Sequence, residues 1–268
     1  MSFVRTDIRD DGIAVVMLDR PDRLNALSAS LLTDLLEAFS ALRWDRSVSV
    51  IVLAGEGRSF CAGTDLSGER DPAPDTEGRG QIGQVYRTQQ HVAQAVLAVH
   101  ECPKPVIAAV HGAAVGGGLA LALAADLRVA TASARFGAVF INVGLSSCDV
   151  GVSYLLPRAV GPTRAAELML TGRHFSGDDA MGFGMLNAVV DDGTHLERAL
   201  ELAAVLASKH EFGLEFTKSG LQAAIDAPSL RHAMEMENRT QVLGTFGGNF
   251  TEAMVAFAEK RPPNWKPM

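Results

Sequence analysis

At 268 residues, 47% hydrophobic and 21% charged, the chain has the material for a buried core, and with aromatics at 6% the packing falls to Ala, Val, Leu and Ile. Its 24 Lys and Arg against 31 Asp and Glu give a formal charge of −7, which argues against a nucleic-acid or anionic-membrane binder, since either needs a basic face. Three scattered cysteines, Cys61, Cys102 and Cys148, form no Cys-x-x-Cys pair; no disulfide framework or structural zinc is expected, and reduced thiols fit a cytoplasmic setting. Residues 1–11 have no apolar signal-peptide core, and the apolar run 106–125, broken by His111 and four glycines, reads as buried interior rather than a membrane span.

Ile13–Leu18 (IAVVML), between Gly12 and the turn Asp19-Arg20-Pro21-Asp22, predicts a strand. Ser28 stands as N-cap before a helical pattern of Leu31, Leu32, Leu35, Leu36 and Phe39. Residues 48–54 predict a second strand, so strand, helix and strand form a right-handed parallel crossover. Residues 67–83, rich in Gly, Pro and charge, read as a surface loop and a candidate lid. Residues 86–99 are helical in pattern and end at Pro103 and Pro105, before a third strand at Val106–Val110. A glycine-rich turn, His111 to Gly118, leads into residues 119–125, an Ala/Leu run of high helix propensity, and residues 127–130 predict another strand. Beyond residue 160 the pattern is helical: 163–170, Gly177–Gly182, 195–209, 211–227, 229–243 and Asn249–Glu259. The expectation is an α/β core over residues 1–200 followed by a helical region over 201–268, without a sequence repeat of fixed period.

Gly116-Gly117-Gly118 at the start of a buried helix is the most informative local feature. Glycines let a ligand approach the backbone, and the first turn of a helix offers unpaired N–H groups that suit an anion or a developing oxyanion. Tight helix–strand packing explains the same glycines equally well. No Gly-Lys-Ser/Thr follows, so this is not a Walker loop, and no clean G-x-G-x-x-G is present. Ser59-Phe60-Cys61-Ala62-Gly63-Thr64-Asp65-Leu66 places small residues after the second strand, where they too expose backbone N–H groups.

Together these segments resemble the crotonase superfamily, the enoyl-CoA hydratase/isomerase family. Asp19 to Leu27 (DRPDRLNAL) resembles its N-terminal signature, Phe60 to Leu66 its FxAGxDL segment, and Lys104 to Gly118 its central motif. Leu155-Leu156-Pro157-Arg158 and Phe257-Ala258-Glu259-Lys260-Arg261 match later landmarks, in order along nearly the whole chain. The resemblance implies an α/β spiral of ββα units, a helical C-terminal region that mediates homotrimers or homohexamers, and an acyl-CoA thioester substrate. Coenzyme A then belongs to the substrate, and no redox cofactor or metal is implied. By motif position the backbone N–H groups of Thr64 and Gly117 would form the oxyanion hole. CoA would lie against Arg23, Leu24, Ala26, Ala62, Asp65 and Leu66, with Phe257 and Lys260 completing that surface, from a neighbouring subunit or this one.

The sequence departs from that pattern where hydratases of the family carry two glutamates: the corresponding positions are Ala120 and Phe140, and neither can move a proton. Asp149, counted back from Leu155-Leu156-Pro157-Arg158, falls where several family isomerases carry a catalytic aspartate, with one residue inserted upstream. A single carboxylate in an apolar pocket, made more basic by desolvation, suits a 1,3-proton shift along an enoyl thioester; Asp149 could instead cap a helix starting at Val150. The leading expectation is an enoyl-CoA isomerase. A hydratase with atypical acid/base groups, a displacement with Asp149 as nucleophile, and a non-catalytic acyl-CoA binder are the alternatives. Cys148 reads as inert packing, and Ser146, Ser147 and Ser153 form no Gly-x-Ser-x-Gly elbow. His91, His100, His111 and Asp126 read as structural, and the pairs Asp178-Asp179 and Asp191-Asp192 as caps or solvated turns.

Overall fold

Apolar residues at successive positions need cover on both faces of a sheet. That condition is met by β2 (Ile13–Leu18), where only Met17 is half-exposed, and by β3 (Val50–Gly55) and β4 (Val106–Val110), buried throughout. In the computed structural model, which describes residues 2–67 and 71–267, these three strands lie side by side and parallel, Val15 opposite Val52 and Val52 opposite Ile107. β6 (Leu127–Thr131) and β9 (Ala188–Val190) continue the parallel run, and β1 (Val4–Ile8) pairs antiparallel with β2 at the other edge. The order is β1-β2-β3-β4-β6-β9.

A second sheet stacks short strands: β5 (Ala113–Val115), β7 (Arg135–Gly137) and β8 (Phe175–Ser176). Single bridges extend it, Cys61 to Ala114 and Leu27 to Thr64. The chain therefore repeats one turn: a long strand, a short pairing in the second layer, then a helix. β2, Leu27 and α1 (Ala29–Trp44) make one turn; β3, Cys61 and α2 (Gln81–His100) the next. β4, β5 and α3 (Gly117–Ala124) follow, then β6, β7 and α4 (Val152–Val160). This is the expected spiral of ββα units, written in structure though not in sequence repeats.

Strand periodicity divides the core. Ala14, Val16, Leu18, Ile51, Leu53, Ala108 and Val110 face the helices α1 to α4, while Ile13, Val15, Val50, Val52, Ile107 and Val129 face Ala199 and Ala203 of α7 (His195–Ala207). Ser28 caps α1, its Oγ accepting from Leu31 N at 3.3 Å. Helices α5 (Pro162–Thr171) and α6 (Gly177–Gly182) follow α4; Asp179 and Ser176 form a reciprocal capping box on α6, so Asp179 of that acidic pair is a cap. The C-terminal helices α8 (Glu211–Ile225), α9 (Leu230–Phe246) and α10 (Asn249–Glu259) line an open cavity of about 490 Å³, with Phe212, Phe216, Met236, Phe250 and Trp265 on its walls among others. That cavity lies apart from the glycine turn. No helix of the described residues is long and apolar enough to cross a membrane.

Three expectations shift. α2 begins at Gln81, not residue 86: its first turns expose Ile82, Val85 and Tyr86 and contain Gly83, which hides the amphipathic pattern. The loop before it is tied down where it is described, with Asp71 accepting from Ser30 N at 2.9 Å and Ser30 Oγ at 2.7 Å, and Ala73 and Thr76 buried. Residues 68–70 of that candidate lid lie outside the described residues. α4 starts at Val152, not Val150, because Val150 (φ 38°) and Gly151 (φ 85°) are both left-handed.

Candidate active site

The glycine turn is shaped by a close approach of two chains. A β-carbon on Gly118 would stand 2.1 Å from the Cys61 carbonyl oxygen, so only glycine fits there. Gly116 donates to the Gly137 carbonyl at 2.9 Å, and Gly117 opens α3. Being the first residue of the helix, Gly117 has no carbonyl within α3 for its N–H, and it donates to no acceptor among the described residues.

The facing segment is Ala62-Gly63-Thr64. Leu27 donates to the Gly63 carbonyl at 2.7 Å and Asp65 to the Leu27 carbonyl at 3.1 Å, so Gly63 and Asp65 bond to the Leu27 segment. Thr64 between them keeps its N–H unpaired among the described residues. A β-carbon on Gly63 would sit 3.5 Å from the Gly117 nitrogen, which makes these two segments immediate neighbours.

Asp149 sits in the turn before α4, half-buried. Its side chain does not cap the helix. Oδ1 accepts from Val150 N at 2.8 Å and from Nε2 of Gln89, an exposed residue of α2 sixty positions earlier. The Asp149 carbonyl, not its carboxylate, takes the Val152 N–H at 2.8 Å. Two hydrogen bonds link this segment back to the glycine turn: Ser147 Oγ donates to the Ala138 carbonyl at 3.2 Å, and the preceding residue, Gly137, accepts from Gly116. Ala120 is fully buried in α3, and the Phe140 ring packs at 3.9 Å from the β-carbon position of Gly116.

The enoyl-CoA hydratase/isomerase family model matches residues 9–267. The chain belongs to the enoyl-CoA hydratase/isomerase family. It is 41% identical over 251 residues to a protein of Mycobacterium leprae named a probable enoyl-CoA hydratase, covering 93% of this chain and 85% of that one. It is 34% identical over 269 residues to the 1,2-epoxyphenylacetyl-CoA isomerase of Escherichia coli, covering 99% and 98%. Among solved structures, a probable enoyl-CoA hydratase/isomerase from Mycobacterium abscessus superposes with a TM-score of 0.93 at 37% identity, covering 99% of each chain. The enoyl-CoA hydratase of Bacillus anthracis gives 0.91 at 30%, covering 99% and 100%. Relatives named as a hydratase and as an isomerase thus both match this chain over most of its length.

Against that family frame, the structure gathers six of the residues expected to meet CoA. Ala62 donates to the Leu24 carbonyl at 3.0 Å, and Arg20 reaches both the Ala26 carbonyl at 3.3 Å and Asp65 at 2.5 Å. Arg23, Leu24 and Ala26 therefore lie on the loop paired with Ala62, Asp65 and Leu66. Leu66 is 77% exposed, an apolar side chain standing free in solvent. Phe257 and Lys260 stand at the end of α10, both exposed, and no hydrogen bond or ion pair joins either to these loops among the described residues.

Asp65 is committed to shaping its loop. The Ser67 N–H, helped by Arg20 against the cost of burial, holds its carboxyl down to about 2, so it stays ionised and does not shuttle protons near neutrality. Burial pushes the Cys61 thiol up to about 12, and Cys148 is exposed. His91 bonds Thr33 Oγ1 at 3.1 Å and the Ala29 carbonyl at 3.2 Å, a structural clasp between α1 and α2. His111 bonds the Gly57 carbonyl at 2.9 Å and stacks on His195, ring centroids 4.3 Å apart, a pairing that nothing in the sequence signalled. Gln89 escaped notice for a related reason: a neutral amide on an exposed helix face shows its use only through its partner. Among the described residues no group of three or more His, Cys, Asp or Glu could hold a metal ion.

Proposed function

We propose that this family member isomerises an enoyl-CoA by a 1,3-proton shift. The observation that carries the reading is a single held carboxylate, Asp149, on a turn hydrogen-bonded to the glycine segment, while Ala120 and Phe140 occupy the two hydratase positions. The thioester oxygen is received by the N–H groups of Thr64 and Gly117, aimed where negative charge develops as the enolate forms. Asp149 Oδ2 removes the α-proton; the C–H electrons move into the enolate, and the same carboxyl returns the proton at the γ-carbon as the double bond moves. The net change is one proton moved along one molecule, which is redox-neutral and calls for no cofactor beyond the CoA of the substrate.

The CoA moiety runs over Arg23, Leu24, Ala26, Ala62, Asp65 and Leu66. Phe257 and Lys260 complete that surface from a neighbouring copy, in a trimer or hexamer assembled through the C-terminal helices; the exposed Phe246, Phe250, Met254 and Phe257 there support such an assembly. A second reading, hydration by groups other than positions 120 and 140, is favoured by the hydratase name of the Mycobacterium leprae relative. One assay separates the two: incubation in D₂O with 2-enoyl- and 3-enoyl-CoA thioesters, followed by NMR and mass spectrometry. Double-bond migration with deuterium at the α- or γ-carbon supports the isomerase. A 3-hydroxyacyl product overturns it in favour of the hydratase, and tight thioester binding without exchange makes the protein a binder.

A further inference from the structure

We propose that Gln89 is the positioning residue of the proton-transferring carboxylate, a role that rests on the isomerase reading. Asp149 Oδ1 accepts two donors, the Gln89 amide and the Val150 N–H, whereas Oδ2 has no partner among the described residues. The two oxygens are thereby made different. Oδ1 is the anchored one, and Oδ2 is left to take the proton from substrate and give it back.

Gln suits this task chemically. Its Nε2 is a donor only, and Oδ1 can accept from it whether Oδ2 is bare or protonated, so the anchor persists, stronger on the ionised form, through both halves of a proton shift. A lysine or arginine at this place would hold the ionised state too firmly, and an acid would compete for the proton. A backbone device supplies the second donor. Val150, a β-branched residue, is held at φ 38°, and this left-handed turn directs its own N–H back onto Oδ1 at 2.8 Å. Such residues are strained and persist where the surroundings over-determine them. Here the surroundings are two: Gly151 (φ 85°), whose β-carbon position lies 4.0 Å from Val96 of α2, and Val152, buried in the core. Gln89 and Val96 lie seven residues apart on one face of α2, so the same helix face fixes both the carboxylate and the turn that carries it.

The test uses the full-length protein, α-proton exchange into a 3-enoyl-CoA in D₂O, and three variants: Gln89→Met, Gln89→Glu and Asp149→Asn. Gln89→Met keeps length and removes the donor; kcat falls by about 10- to 100-fold with KM little changed, as expected when a reacting group loses its aim. Gln89→Glu turns a donor into a second carboxylate facing Oδ1, and the acid limb of the kcat profile moves to higher pH, a change that a merely structural role would not produce. If both Gln89 variants keep the wild-type kcat and pH profile while Asp149→Asn is inactive, Gln89 has no positioning role and the isomerase reading stands. If Asp149→Asn retains exchange, or the wild-type protein neither exchanges nor isomerises any of the thioesters, both fall. Gln89 is exposed, so its variants keep the fold; thermal unfolding of each checks this.

Discussion

The α-carbon of Gly63 and the backbone nitrogen of Gly117 face each other so closely that a β-carbon on Gly63 would come within 3.5 Å of that nitrogen. Two segments more than fifty residues apart in sequence thus meet, and each carries a backbone N–H without an acceptor among the described residues, that of Thr64 on one and of Gly117 on the other. Proline at position 117 removes one of these donors, and the first turn of a helix tolerates it because no intrahelical bond is lost. The added β-carbon would meet Leu27 Cδ1 at 2.6 Å, so Gly117→Ala is the control: it brings the same crowding and keeps the N–H. Gly117→Pro is expected to lower kcat by about 100- to 1,000-fold relative to Gly117→Ala. Equal rates for the two variants would remove Gly117 from the chemistry.

Asp149→Ala separates catalysis from binding. The carboxylate is held by Gln89 and Val150 and bonds no other described side chain, so its loss leaves the core intact. Proton exchange into an enoyl-CoA should fall by about 100- to 10,000-fold, the usual span for removing a general base. Affinity for a non-reactive acyl-CoA, read by calorimetry, should be unchanged. Persisting exchange would mean another group moves the proton.

The sequence was most legible where burial is symmetric. β2 and β4 were read to the residue because strands covered on both faces are apolar without interruption. β1 was invisible: of VRTDI only Val4 is buried, and an edge strand with polar faces resembles a loop. β7 and β8, three and two residues long, are too short to carry a pattern. In the site, the glycine turn could be read because close backbone approach demands glycine at Gly118. The turn at Asp149 was open to misreading as a cap, since an aspartate ahead of a helix has the same spelling in either case. The left-handed Val150 and Gly151 show that the helix starts later, and the bond from Gln89 shows that the carboxylate meets α2.

The stacked pair His111 and His195 predicts how the fold responds to acid. Burial, with repulsion from His111 and against the pull of Asp192, holds the His195 imidazole down to about 4 from its ordinary 6.5. Nδ1 of both rings is buried without a partner among the described residues. Across that window the unfolded chain binds more protons than the folded one, so this contribution to stability is complete above pH 6.5 and is lost as the pH falls toward about 4. His195→Phe keeps a ring in the stack and removes the titration. Its urea midpoint should fall less than that of the wild type between pH 7 and pH 4.5. Parallel pH dependences for the two proteins would assign acid sensitivity to other groups.

Lys218 predicts what ties the C-terminal helices to the spiral. Its ammonium, on α8 and buried, donates to the Lys104 carbonyl at 3.1 Å and to Asp126 Oδ2 at 2.7 Å; the same oxygen takes the Val106 N–H at 2.8 Å at the start of β4. Lys104 in turn donates to the Leu42 carbonyl at 2.7 Å and to the Asp45 carbonyl, so α1, β4 and α8 meet in one network. Lys218→Met retains the apolar stem and removes the charge, leaving Asp126 ionised without its partner. Removing one member of a buried pair costs more than the pair contributes, and Asp126, 25% exposed, keeps some contact with water. The loss should be about 3 kcal/mol in urea unfolding. Adding Asp126→Asn removes the stranded charge yet keeps an oxygen for Val106 N–H, so the double variant should regain part of the loss. If the double variant is less stable than Lys218→Met alone, the cost lies in the lost bond to Lys104 and not in the unpaired carboxylate.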